Sequence, residues 1–204
     1  MTTIDARTPA APAPTAAPTA APSRGAIRAA GLVLAACSLP WAVTSLVAGI
    51  DIGYPTHVVC AVFQLGIWAL LLTMWRTGAT GTSRVARAML GVEATLLALA
   101  SAASVLLLLG EPIASSTPTL VLDVFWPLSM LGMAVIGIKV ALAGRWRGVL
   151  RAWPVVAETW VLVVLPSMAL FGPAGASWAC GLHLLLGYTT LGVLLAVRPD
   201  LTRR

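Results

Sequence analysis

Three charged side chains stand inside apolar runs near one end of those runs: Glu93, Lys139 and Glu158. Ionisable groups at the centre of a membrane helix cost on the order of 2.5–3.5 kcal/mol on insertion scales, so each is a functional candidate by default. The two glutamates are expected about six residues inside their helices, roughly 8–9 Å at 1.5 Å per residue. A Glu–Lys–Glu cluster bridging three helices would form a proton or substrate site. The competing reading sends the Lys139 ammonium to the headgroups along its apolar stem. Each glutamate is then protonated or paired with a loop arginine such as Arg87 or Arg151. A buried ion pair would by itself argue weakly for function or stability.

A second polar layer, at the opposite ends of the runs, holds His57, Asp123 and, deeper, His183. Asp123 precedes Pro127 by four residues, so the proline leaves the Asp123 carbonyl without its helical donor. The stretch Asp123-Val-Phe-Trp-Pro127 therefore joins a carboxylate, a free carbonyl and an indole in a small outward-facing pocket. The plainer alternative is a water-exposed aspartate favoured by the helix dipole. His57 with Cys60, and Cys180 with His183, are spaced i, i+3 and so share helix faces. Four such ligands suit a soft metal, and two histidines a haem iron. Satisfied histidines and packing cysteines are the default, so no cofactor and no metal are expected.

The elements that position these groups follow from composition. The chain has 204 residues, 59% hydrophobic and 10% charged, with a net charge of +6; a soluble domain carries about 25% charged residues. Six runs suffice to cross a ~30 Å hydrocarbon core: 29–50, 56–75, 88–109, 119–143, 153–171 and 176–197. They lack the alternation a barrel needs, and in lipid that leaves helices. The fold class is thus an all-α integral membrane protein, a bundle of six transmembrane helices spanning 26–198. Residues 1–25 are a Pro/Ala/Thr-rich tail too poor in apolar residues to fold, and 199–204 form a short basic tail. Twelve arginines and the one lysine lie in the two tails, the loops around 76–87 and 144–152, and the adjoining helix ends. The positive-inside rule then puts both termini in the cytoplasm. Half of the tryptophans (Trp75, Trp146, Trp153 and Trp178) fall near expected interfaces. Pro40, Pro127 and Pro166 are expected to bend their helices.

The basic charge serves orientation rather than a nucleic-acid face, so no nucleic acid is expected. The expected partners are the lipid bilayer and a further copy or another membrane protein. An arginine-over-lysine, Ala/Gly/Pro-rich composition points to a bacterial plasma membrane. No phosphate loop, zinc-protease motif, nucleophile elbow or channel filter is present. Three functional readings follow. First comes a non-catalytic bundle acting through packing or partners. Second is a small proton-linked or small-solute transporter using Glu93, Glu158 and Asp123. Third is a redox protein with haem or metal at His57 and His183. Deleting residues 2–22 should leave insertion and bundle stability almost unchanged, because Arg24, Arg28 and every apolar run remain. A large loss of folded protein after detergent extraction would show that the tail docks on the bundle.

Overall fold

Helix starts are written into the chain beside its serines. Ser23 and Ser83 each accept a hydrogen bond from the backbone amide three residues on, at Ala26 and Ala86, both at 3.1 Å. They cap α1 (Arg24–Val47) and α3 (Arg84–Leu108). The computed structural model describes residues 22–49 and 54–202; the expected disordered tail, 1–25, lies outside the described residues up to residue 21, whereas Arg24 and Gly25 already belong to α1. Between the two capped helices runs α2 (Tyr54–Thr77). After them come α4 (Thr117–Asp123), α5 (Phe125–Ala143), α6 (Val149–Glu158) and α7 (Trp160–Leu184). A π-helical turn, Leu185–Thr189, leads into α8 (Thr190–Val197), and a 3₁₀ turn, Pro199–Thr202, follows. Among the described residues there is no strand.

Among the described residues, five helical stretches are long and apolar enough to cross a membrane: 24–47, 55–77, 84–108, 117–143 and 149–197. Their outward faces carry large apolar side chains, with Val47 83% exposed and Leu142 and Leu170 74% exposed. A water-soluble surface does not bear apolar patches on that scale. This is a multi-pass helical membrane protein.

Two stretches are irregular. The fourth breaks at Val124, between α4 and α5, three residues before Pro127. The missing proline donor loosens that turn, as the Asp123–Pro127 spacing implies. The fifth is 49 residues long, and as a straight helix it would extend on the order of 74 Å. It doubles back instead. Gly172 takes φ 68° and ψ −166°, a conformation open to a residue without Cβ. Around it Trp153 meets Leu186, Ala157 meets His183 and Trp160 meets Cys180. The expected Gly-Pro-Ala-Gly connection is thus a sharp reversal between two antiparallel legs.

α1 packs against α2, α7 and α8, whereas α5 packs between α3 and α6. Without a hydrophobic drive between helices in lipid, close approach depends on small residues. At the α1–α8 crossing a Cβ on Gly192 would lie 2.6 Å from the Gly31 carbonyl and the Ala35 nitrogen. At the arginine-bearing end Trp146, expected at the interface, is fully buried. Its indole donates to Thr77 Oγ1 at 3.0 Å, and the Arg147 amide donates to the Leu201 carbonyl at 2.8 Å. Two loops and the C-terminal turn are thereby knitted together.

Gly192→Ala should destabilise the bundle by about 1–3 kcal/mol, the range for overpacking. Gly91→Ala, which meets nothing within 4 Å, should be neutral or slightly stabilising in the same reversible unfolding measurement.

Candidate functional site

Glu93, Glu158 and Tyr188 each lie nine residues from the arginine-bearing end of their leg, counted from Arg84, Val149 and Val197. At 1.5 Å per residue that is roughly 13–14 Å along each helix. α3 and α6 start about four residues before the apolar runs expected at 88 and 153. Both glutamates are buried, 1% and 2% exposed.

Each carboxyl has one donor and one free oxygen. Ser129 Oγ donates to Glu93 Oε1, and the Tyr188 hydroxyl donates to Glu158 Oε2. Glu93 Oε2 and Glu158 Oε1 are buried without a partner. One hydrogen bond contributes about 0.5–1.5 kcal/mol net, less than the cost of holding an ionisable group at this depth. The two carboxyls are therefore held at a net cost to the fold.

Both carboxyls lean on α5. Gly132 makes room for the Glu93 carboxyl, since a Cβ there would collide with Oε2. Gly137 lies against Pro154 and the Glu158 side chain, where a Cβ would stand 3.3 Å from Glu158 Cγ. These glycines are five residues apart, roughly 7–8 Å along the helix axis. Glu93 is near enough to act electrostatically on both Glu158 and Tyr188.

Glu158 and Tyr188 are brought together by local defects. α6 ends at Glu158, and Thr159 (φ −78°, ψ 11°) interrupts the helix. The Ala157 carbonyl is taken by His183 Nε2 at 3.0 Å. Opposite, the π-turn frees carbonyls, a feature frequent at functional sites. The Trp153 indole donates to the carbonyls of Leu186 (3.1 Å) and Gly187 (3.3 Å), and Thr190 Oγ1 donates to that of Leu185 (2.8 Å). Gly187 allows α6 to come close, for a Cβ there would stand 2.9 Å from Ala157 Cα.

The other polar groups separate. Lys139 is half-buried and makes no ion pair; among the described residues the one salt bridge is Arg198–Asp200 at the surface. The two glutamates thus both reach α5 without pairing with the lysine. At the arginine-poor end His57, Cys60 and Asp123 line one cavity with Gln64, Ser104 and Trp126. His183 is buried against Ala157 instead. No three His, Cys, Asp or Glu side chains among the described residues come together as metal ligands.

Between the cavity and the carboxyls stands an aromatic layer. Trp126 meets Trp41 and Phe63 at ring-centroid distances of 6.2 and 6.1 Å, and Phe63 meets Tyr188 edge-on at 4.9 Å. No protein-family model matches the chain, and neither the curated proteins nor the solved structures offer a match. The site is read from its chemistry.

Sequence reasoning missed Tyr188, Ser129 and Gln64. Gln64 and the Gly-Tyr-Thr-Thr interruption at 187–190 were visible as polar breaks in apolar runs. Ser129 carried no signal of its own. Lys139→Met should cost under about 1 kcal/mol, as for an exposed charge. Tyr188→Phe should cost about 1–3 kcal/mol, because both oxygens of Glu158 then lack a donor. Reversible unfolding in mild detergent measures both, and a larger loss for Lys139→Met than for Tyr188→Phe would contradict this geometry.

Proposed function

We propose that this protein is a small proton-linked transporter in which Glu93 and Glu158 exchange protons within the membrane. In this reading the chain crosses the bilayer six times, with α6 and the first part of α7 as the fifth crossing and the chain from Pro173 to Val197 as the sixth. Both termini face the cytoplasm, and the membrane is the plasma membrane of a bacterium. The observation that carries the reading is a pair of buried carboxyls, each with an unpartnered oxygen and, among the described residues, no ion pair to either. A carboxyl free on one oxygen can take up and release a proton without breaking a salt bridge. The glycines of α5 and the bulged α6–α8 contact give the surrounding helices room to shift. A bundle acting solely through packing or partners has no use for groups this costly, so the transport reading is preferred.

In liposomes the purified protein should move protons coupled to a solute gradient, read with an internal pH dye. Glu93→Gln and Glu158→Gln should each lower the rate by about tenfold or more, the scale of losing a positioned proton-transfer group. A flux indifferent to both substitutions and to pH would remove the carboxyls from the mechanism. For topology, single cysteines at Ser115 and at Thr82, both exposed positions, are placed in a background lacking the native cysteines. Ser115→Cys should react with an impermeant thiol reagent on whole cells, and Thr82→Cys should react only after lysis. The reverse pattern would invert the orientation.

A further inference from the structure

The cavity at the arginine-poor end has about 120 Å³ of space and a lining unlike the rest of the bundle. One turn after another of α2 supplies His57, Cys60 and Gln64, which share a helix face. Gln64 is buried, 3% exposed, and its amide donates to Ser104 Oγ at 2.8 Å, closing the bottom with fixed dipoles. Asp123, exposed at the end of α4, supplies a carboxylate at the mouth. Trp126 supplies an indole wall backed by Trp41 and Phe63. The chain between α3 and α4 adds a further acid, Glu111, and neither it nor the residues on either side of Gly172 contain an arginine or lysine.

This combination selects by charge and by shape. A carboxylate beside an indole face attracts a cation that can be stripped of water, and an alkylammonium group fits that description better than a hydrated metal ion. His57, Cys60 and Asp123 do not close to metal-ligand geometry. An apolar cavity of ~150 Å³ admits benzene; this one, at about 120 Å³ and open at its mouth, is of the size for a small alkylammonium head, of which tetramethylammonium is the upper limit. Acids with no basic residue at this end concentrate cations at its mouth.

We propose that this cavity binds an alkylammonium group, with Asp123 as counter-charge and Trp126 as the face on which the cation rests. As the loading site of an exchanger the cavity depends on the proton-exchange reading above; as a binding site it stands without it. The aromatic layer of Trp126, Phe63 and Tyr188 then lies between the bound cation and Glu158.

The test is calorimetric titration of the purified protein in a maltoside detergent, which has no ammonium headgroup. Tetramethylammonium chloride is compared with sodium chloride and with tert-butanol, a neutral molecule of similar shape. Saturable heat with tetramethylammonium alone is expected. Asp123→Asn and Trp126→Leu should each weaken it by about tenfold, and Trp126→Phe should restore part of the loss. Asp200→Asn, a charge change at the far end, should leave it unchanged. Helical circular dichroism of each variant checks that it is folded. Repeating the titration in phosphatidylglycerol discs with and without phosphatidylcholine separates two sources of the same group. Competition by phosphatidylcholine assigns the site to a lipid headgroup, and none assigns it to a free solute. Equal binding of tert-butanol, full affinity in Asp123→Asn, or no saturable heat would overturn the proposal. Glu158→Gln should retain binding. Binding retained with a flux indifferent to Glu158→Gln would sink the proton-exchange reading and leave the cation site standing.

Discussion

Inside hydrocarbon no water is present to satisfy a backbone carbonyl, and this single constraint organises the irregular half of the molecule. Where α6 stops at Glu158, the Ala157 carbonyl finds His183. Where the helix widens at Leu185–Thr189, Trp153 and Thr190 take the released carbonyls. Each defect is satisfied from the facing leg or from within its own turn, so the two legs hold together through their imperfections. The geometric consequence is that Tyr188 turns toward Glu158. The other half, α1 against α2 and α8, depends on glycine-mediated backbone contact.

These two halves divide the work. The contact of α1 with α8 at Gly31 and Gly192 leaves no space for a side chain and makes a stiff seam. On the other side α5 runs between the carboxyl-bearing helices with glycine at both points of contact, 132 and 137. At Gly132 the absent side chain leaves room for the Glu93 carboxyl, and at Gly137 for the Pro154 carbonyl and the Glu158 stem. The aromatic layer of Trp126, Phe63 and Tyr188 lies between the cavity at the arginine-poor end and Glu158.

The apolar helices were readable from the sequence because length, composition and charge placement depend on hydrophobic transfer, which each segment expresses locally. Helix starts shifted by two to five residues, as at Arg24 and Arg84, since arginine stems extend a helix past its apolar run. The loosened turn before Pro127 was readable for the same local reason. The approach of both Glu93 and Glu158 to α5 was not, because helix order in a bundle is not written in any one segment. The π-turn was also hidden: Leu-Leu-Gly-Tyr-Thr is compatible with an ordinary helix, and its widening depends on Trp153 and Glu158 opposite. For Lys139 the sequence left two readings, clustered or snorkelling, and the residue makes no ion pair with either glutamate.

The central claim is that two buried carboxyls exchange protons, one of them under the control of Tyr188. Infrared difference spectroscopy of the protein in lipid, recorded across a pH titration, observes buried carboxyl groups directly through their C=O stretch. Two titrating carboxyl bands are predicted, one absent in Glu93→Gln and the other absent in Glu158→Gln, with the second shifted in frequency in Tyr188→Phe. Spectra in which no titrating band responds to any of the three substitutions would contradict the account.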